Sequence, residues 1–269
     1  STDNITRFKA ARYSPVLYVK KDMREQLAQE LEEKTGIKFG LLIGRQTNVS
    51  SFMRHLLVSR FESSMAAFQT SLGYMIQSAE HLLTWIDKRH KIPVYKKGNL
   101  PEVDDFYTDD GMEEIQETFD KYESRGFFEI DMKYVEDNFI EDVKTDIHLL
   151  QSLREEWFGK ENVIKQDPKL DSFIEIAKKK LEQEPERKLI VFSEYADTVD
   201  YLGKKLVEAG LPVMKYTSAD ASPNNKERIR ANFDAGLKKE LQRDDYKILV
   251  ATDAISEGYN LHRAGAIFN

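Results

Sequence analysis

The chain has 269 residues, of which 41% are apolar and 32% are charged, enough for two ordinary domains with one core each. No apolar run approaches the ~20 residues of a membrane span and the first residues do not resemble a signal peptide, so we expect a cytoplasmic protein with no membrane partner. The absence of cysteine excludes disulfides and thiolate metal sites, and the five scattered histidines show no metal-ligand spacing, so no metal centre is predicted.

The net charge of −7 is distributed unevenly along the chain. Residues 1–98 carry a net charge of +7, residues 99–146 carry −13, and residues 147–269 carry −1. Because like charges repel, the acidic segment is expected to face away from any phosphate backbone, which leaves the basic N-terminal part as a candidate for contacting one. The alternative is that both segments are solvated helix faces, and the sequence leaves these two interpretations open.

Helical spacing of apolar residues dominates the first 165 residues and predicts a helical bundle over residues 1–166. A helix is predicted at Asp22–Lys34, capped by Gly36, and residues 45–90 are predicted to form one long helix or two nearly collinear ones. Further helices are predicted at Glu113–Ser124 and Val135–Trp157, and Pro93–Asp110 is predicted to be a loop. Core packing is the favoured role for the aromatic residues of 119–139, which are Phe119, Tyr122, Phe127, Phe128, Tyr134 and Phe139.

The pattern changes at Asp167, after which short apolar runs alternate with helical segments. Strands are predicted at Lys188–Ser193, Pro212–Tyr216 and Lys247–Ala251, and helices at Lys169–Glu182, Asp197–Ala209 and Asn224–Ala235. This alternation predicts an α/β domain with a parallel, doubly wound sheet over residues 167–269. Ligands of such sheets bind at the carboxyl ends of the strands, so the candidate segments are Ser193–Tyr195, Thr217–Ser218 and Thr252–Asn260.

Three segments resemble motifs of a known family. The run Ile248-Leu-Val-Ala-Thr-Asp-Ala-Ile-Ser-Glu-Gly-Tyr-Asn-Leu-His262 resembles the fifth conserved motif of superfamily-two helicases. Leu189-Ile-Val-Phe-Ser-Glu-Tyr195 is similar to their fourth motif, which opens the second RecA-like domain. Leu56-Leu-Val-Ser-Arg-Phe-Glu-Ser-Ser-Met-Ala-Ala-Phe68 resembles a helix in the insertion between the two motor domains of Swi/Snf-like bacterial helicases.

The resemblance implies a helical insertion module at residues 1–166 and most of a second RecA-like domain, of the P-loop NTPase type, at residues 167–269. It implies that the parent enzyme hydrolyses ATP with Mg²⁺ in a cleft between this lobe and a first RecA-like lobe of the same chain. The implied partners are double-stranded or single-stranded DNA, with RNA as an alternative. The sequence contains no phosphate-binding loop and no magnesium motif, and the sixth motif would follow Asn269 after a further strand. We therefore expect an excised piece, or a natural truncation, that binds no ATP or Mg²⁺ by itself and does not turn ATP over.

Site roles follow from the motif positions. Gly258 and Asn260 are the candidate ATP-binding residues, because a glycine lets the backbone approach the ribose and an amide can hydrogen-bond it. Asn260 could instead couple to the arginine motif. Asp253 and Glu257 are candidates for coupling across the cleft. The candidate nucleic-acid contacts, which are hydroxyls at strand ends and basic side chains, are Ser193, Tyr195, Thr217, Ser218, Thr252, Lys226, Arg228 and Arg60.

Each assignment has a purely structural alternative. Thr252 and Asp253 could cap a helix, Tyr195 could belong to the core, and Arg60 could brace its own helix. Gly258 could end a helix and Arg228 could be a solvated residue. At the level of function, a DNA helicase or translocase is favoured, an RNA helicase is second, and a non-enzymatic docking module with a degenerate motor lobe is third.

Overall fold

The computed structural model describes residues 2–95, 127–255 and 259–268. They fall into two compact units, one built from the chain up to Val163 and the other from Ile164 onward. The short segment Ser63–Ala67 belongs to the second unit. The chain is a mixed α/β protein that is mostly helical, as predicted.

Helices make up most of the first unit. Their bounds are Thr2–Arg7 for α1, Arg24–Thr35 for α2, Phe39–Gln46 for α3, Val49–Ser63 for α4, Met65–Arg89 for α5 and Asn138–Phe158 for α6. Gly36 ends α2 with φ 70°, and its N–H donates to the Glu32 carbonyl at 2.9 Å, which confirms the predicted glycine cap. The predicted helix at Glu113–Ser124 lies outside the described residues.

The long apolar stripe of residues 45–90 forms two helices rather than one. The break falls at Ser64, whose Oγ accepts a hydrogen bond from the Ala67 N–H at 3.0 Å. This bond satisfies one of the amides that a helix start leaves without a partner, so Ser64 caps α5. Both helices bury apolar residues at helical spacing, and the buried residues of α4 are Val49, Met53, Leu56, Leu57 and the charged Arg60.

A two-stranded antiparallel sheet interrupts the predicted bundle. Strand β1 (Lys91–Tyr95) pairs with β2 (Phe127–Asp131), with Ile92 opposite Ile130. The prediction of a loop from Pro93 onward is therefore wrong for residues 93–95, and the remainder of that loop lies outside the described residues. Proline was interpreted as a breaker, but each strand of a two-stranded sheet is an edge, where a missing N–H is tolerated.

Aromatic residues near this sheet pack in the core, as predicted. Phe128, Tyr134 and Phe139 are all buried. Phe119 and Tyr122 lie outside the described residues, as does the side chain of Phe127. The acidic segment between the two strands also lies largely outside them, so its predicted orientation stays a prediction.

One buried carboxylate organises the N-terminal part of the first unit. Asp146 on α6 accepts hydrogen bonds from the Lys9 and Ala11 amides, both at 2.8 Å. Burial raises the pKa of Asp146 from its usual 3.8 to about 6, although the two amides act in the opposite direction. This side chain therefore ties the first residues of the chain to α6.

Strands and helices alternate in the second unit as predicted. The elements are α7 (Pro168–Gln183), β3 (Lys188–Phe192), α8 (Ala196–Glu208), β4 (Val213–Tyr216), α9 (Pro223–Phe233), β5 (Ile248–Ala251) and β6 (Ala264–Phe268). The strands form a parallel sheet in the order β4-β5-β3-β6, which confirms the predicted parallel fold. Asp167 caps α7 by accepting a hydrogen bond from the Leu170 N–H at 3.0 Å, and Pro168 occupies the first turn.

Both faces of this sheet are covered by helices. Leu189 and Val191 point to one face, where they pack with Val199 of α8, whereas Ile190 points to the other face, where it packs with Phe233 of α9. Alternate residues of a strand face opposite sides, so a strand buried on both faces is a continuous apolar run. This is the reason why β3 and β5 were recognisable in the sequence.

Strand β6 corrects one expectation. The next strand of the fold was expected after Asn269, but Ala264–Phe268 already forms it, parallel to β3 with Leu189 opposite Ala266. The short run contains Gly265 and has partly exposed positions, so it lacks the buried, strongly apolar pattern of β3 and β5.

Candidate functional site

Hydrogen bonds beyond the strand ends bring three polar residues to one edge of the sheet. Phe192 of β3 and Tyr216 of β4 both pair with Ala251 of β5. The Ser193 N–H donates to the Ala251 carbonyl at 3.1 Å, and the Thr252 N–H donates to the Tyr216 carbonyl at 3.1 Å. The segments that begin at Ser193, Thr217 and Thr252 therefore start side by side, as expected for parallel strands.

Ser193 and Tyr195 differ in accessibility. The Ser193 side chain is partly exposed, and its Oγ accepts a hydrogen bond from the Tyr195 N–H at 3.2 Å. Tyr195 is 4% exposed. The structure thus places the hydroxyl of Ser193 where a ligand can reach it and places Tyr195 in the core, as the structural alternative stated.

The end of β4 offers one buried and one accessible hydroxyl. Thr217 is buried, and its N–H and Oγ both donate to Asp220 Oδ2 at 3.0 Å. Ser218 is partly exposed and begins a short 3-10 turn, Ser218–Asp220. The Thr217 hydroxyl therefore stabilises this turn through its hydrogen bond to Asp220. Of Thr217 and Ser218, only Ser218 is accessible to a ligand.

Thr252 is fully buried after β5, and its carbonyl accepts a hydrogen bond from the Ile255 N–H at 3.2 Å. A 3-10 turn, Asp253–Ile255, follows, and Asp253 is exposed. This geometry agrees with the alternative in which Thr252 and Asp253 begin a helical turn. Glu257 and Gly258 lie outside the described residues, so their assignments stay predictions.

Beyond these residues the chain is anchored by Tyr259 and exposes Asn260. The Tyr259 ring lies 6.2 Å from the Tyr216 ring, and the Arg230 guanidinium is 5.9 Å from the Tyr259 centroid. Burial raises the pKa of Tyr259 to about 12, so its hydroxyl is neutral at physiological pH. A β-carbon at Gly236 would lie 3.7 Å from Asn260 Nδ2, which places the Asn260 amide beside the turn that follows α9.

The basic candidates occupy different environments. Lys226 and Arg228 are exposed on α9, and Arg228 donates a hydrogen bond to the Tyr246 hydroxyl while its guanidinium lies 5.4 Å from the Tyr246 centroid. Arg228 is therefore held against an aromatic ring and stays accessible from its other side. Lys226 adds a second positive charge to the same helix.

Arg60 requires a correction. It is 1% exposed, and its Nε donates to Ser71 Oγ at 2.9 Å. A guanidinium at this depth cannot contact a phosphate backbone, so Arg60 is a buried structural residue, and a serine hydroxyl is among its partners. The periodicity contained this information, because position 60 continues the buried stripe of Met53, Leu56 and Leu57.

Sequence reasoning missed a group of hydroxyls beside Ser193. Thr198 Oγ1 lies 2.9 Å from Ser63 Oγ and 2.9 Å from Ser64 Oγ, and Ser63 Oγ lies 3.4 Å from Ser193 Oγ. Both serines belong to the segment that resembles the Swi/Snf-like insertion, but no role was assigned to them. Two consecutive serines that break a helical pattern could have indicated a turn at Ser63 and Ser64. The sequence could not indicate that Thr198 contacts this turn, because 134 residues separate it from Ser64.

Two kinds of feature are absent from the parts of the chain that the structure describes. In these parts, no group of three or more His, Asp or Glu side chains could hold a metal ion. No helix within the same residues combines the length and the apolar character needed to cross a membrane.

Comparisons with known proteins find a similarity in the second unit. Residues 169–269 match the family model of the helicase conserved C-terminal domain. The crystal structure of the Pyrococcus furiosus Hef helicase domain aligns with 99% of this chain and 46% of that chain, at 14% sequence identity and a TM-score of 0.42, so the chain spans about half the length of that structure. No curated protein matches the sequence. Residues 169–269, which contain the parallel sheet β4-β5-β3-β6, are thus similar to the helicase conserved C-terminal domain.

Proposed function

We propose that this chain is part of an ATP-dependent helicase or translocase of the Swi/Snf-like subgroup, in which it contributes the second half of the ATP cleft and part of the nucleic-acid track. The match of residues 169–269 to the helicase C-terminal domain supports the class of enzyme. The main structural support is the alignment of the segments after β3, β4 and β5 at one edge of the sheet, where ligands of parallel sheets bind.

The nucleic-acid track in this proposal uses accessible hydroxyls. Ser193 and Ser218 are partly exposed at the ends of neighbouring strands, and a hydroxyl can donate to a phosphate oxygen without contacting a base edge. Binding should therefore be independent of base sequence. Thr217 and Thr252 are buried at the same edge of the sheet and support it without contacting the ligand. Lys226 and Arg228 add positive charge on α9.

The nucleotide half of the proposal rests on the segment that follows β5. Asn260 is exposed, and its amide can both donate to and accept from a sugar hydroxyl, so the residue fits a ribose contact. Asp253 is also exposed, and in this proposal it couples the second lobe to the first lobe across the cleft. Gly258 and Glu257 keep their proposed roles from the motif alone. ATP hydrolysis would supply the free energy for movement, and we assign Mg²⁺ no ligand in this chain.

DNA is favoured over RNA as the track because the segment Leu56–Phe68 resembles the Swi/Snf-like insertion, whereas the fifth motif is shared with RNA helicases. A non-enzymatic docking module is the third candidate. The sequence of the source gene would distinguish a motor enzyme from a docking module. A phosphate loop and a magnesium motif upstream, with an arginine motif downstream, would support the motor.

Nucleic-acid binding tests the proposed function directly. The chain should bind duplex and single-stranded DNA with an affinity that falls as salt rises, because contacts to phosphates release counterions. Ser193→Ala should weaken binding severalfold, and Ser172→Ala, an exposed serine on α7, serves as the matched control. The measurement is fluorescence anisotropy across a salt series with DNA and RNA. If the chain binds none of these nucleic acids, the proposed track is wrong.

A further inference from the structure

Two consecutive serines, Ser63 and Ser64, pack against Thr198 at the edge that carries Ser193. The hydroxyls of these three side chains are linked by hydrogen bonds, and both serine oxygens lie 2.9 Å from Thr198 Oγ1. Ser64 and Thr198 are buried, whereas Ser63 and Ser193 are partly exposed. All four residues belong to the second unit, so the turn is an integral part of the surface around β3.

Either oxygen can donate in each of these hydroxyl contacts, and one arrangement leaves the Ser63 proton for an outside acceptor. Ser64 Oγ accepts from the Ala67 N–H and can donate its own proton to Thr198, and Thr198 can then donate to Ser63. Ser193 Oγ accepts from the Tyr195 N–H, so its own proton can go either to Ser63 or to a phosphate. A hydroxyl has a single proton, so a Ser63 oxygen that accepts from its neighbours keeps its own proton for an outside acceptor.

A positive charge accompanies this donor. Lys169, exposed near the start of α7, places its Nζ 3.4 Å from the Ser63 carbonyl oxygen. Two hydroxyls and an ammonium group are the donors that proteins use for backbone phosphates. Buried neighbours hold Ser63 in place, which lowers the entropy lost on binding.

We propose that Ser63 is a phosphate contact of the nucleic-acid track, positioned by Ser64 and Thr198 and assisted by the charge of Lys169. The ligand is a phosphodiester of a DNA or RNA strand that passes the end of β3. This inference rests on the proposed function and adds to it a residue from the serine turn between α4 and α5. Ser64 and Thr198 are positioning residues, since both are buried.

The test compares affinity and its salt dependence in variants of the full chain, with a fluorescent single strand and a duplex as probes. Ser63→Ala should weaken binding by about tenfold, the loss typical of a hydrogen bond to a charged group, and Ser63→Thr should restore most of the affinity. Because the serine is neutral, the slope of log affinity against log salt should not change. Lys169→Ala should lower that slope by about one. Ser172→Ala and Lys178→Ala, at exposed positions of α7, are the matched controls.

The outcomes separate this inference from the proposed function. If Ser193→Ala weakens binding and Ser63→Ala does not, the inference is wrong and the proposed function stands. A Ser63→Ala chain with lower thermal stability but unchanged affinity would show a purely structural serine, which also overturns the inference. If Ser63→Ala fails to fold, an unchanged salt slope in Lys169→Ala overturns it instead. If the wild-type chain binds no nucleic acid, the proposed function fails and this inference fails with it.

Discussion

The Ser193 N–H donates a hydrogen bond to the Ala251 carbonyl at 3.1 Å, so the pairing of β3 and β5 continues one step past the end of β3. This bond fixes where the polar segment after β3 begins relative to the segment after β5. A shift of one residue would turn the polar side chains toward the opposite face of the sheet. The register of two buried strands therefore determines which hydroxyls lie at this edge of the sheet, where we propose the nucleic-acid track.

The first prediction separates the two hydroxyls that follow β4. Ser218→Ala should weaken nucleic-acid binding severalfold, because this residue is partly exposed at the strand end. Thr217→Val should leave the affinity unchanged and lower the free energy of unfolding by about 1 kcal/mol, since its Oγ donates to Asp220 inside the protein. Anisotropy titrations and thermal unfolding measure the two effects. The reverse order of affinities would contradict this division of roles.

Arg60 is predicted to act through stability alone. Arg60→Ala should lower the free energy of unfolding by about 2 to 4 kcal/mol, because it leaves a cavity and removes the donor to Ser71. Below the melting temperature its nucleic-acid affinity should equal that of the wild type. Arg45→Ala, at an exposed position on α3, is the control and should change the stability little. A weaker affinity of Arg60→Ala at full folding would restore Arg60 as a nucleic-acid contact.

Asp146 should make the first unit more stable in mild acid. Its folded pKa of about 6 lies above its usual 3.8, so between these values the folded state binds more protons than the unfolded state. The contribution of Asp146 to the free energy of unfolding should therefore rise as the pH falls from 7 through 6 toward 4, and it is lost again as the pH rises.

Thermal unfolding of the wild type and of Asp146→Asn across this pH range measures the difference. The wild type should gain stability relative to the variant as the pH falls, whereas Asp171→Asn, an exposed control on α7, should follow the wild type in parallel. A carboxyl titration by NMR that places the pKa of Asp146 near 4 would contradict the prediction.

Gly258 provides the test of the nucleotide half of the proposal. In the full-length enzyme, Gly258→Val should abolish ATP turnover and leave the fold intact, because a side chain there would block the approach of the ribose to the backbone. ATPase assays with circular dichroism as the folding control measure this, and Ser172→Val is the matched surface variant. Normal turnover in Gly258→Val would overturn the placement of the fifth motif.

The periodicity of apolar residues in the sequence predicted the positions of most helices and strands. A continuous apolar run predicted β3 and β5 because a strand buried on both faces cannot alternate, and the glycine at position 36 marked the end of α2. Where periodicity was weak, the prediction failed. Strand β1 contains Pro93, and β6 has partly exposed positions, so neither has the pattern of a buried strand.

The sequence by itself determined the order of strands and helices, the polar segments that follow the strands, and the motifs that resemble a helicase. Only the tertiary structure decided which of those polar side chains are accessible. It buried Arg60, Tyr195 and Thr252, committed Thr217 to Asp220, and brought Ser63 to Ser193 across 130 residues of chain. The physical reason is that periodicity reports which face of an element is buried, whereas hydrogen bonds between distant segments depend on how the elements pack.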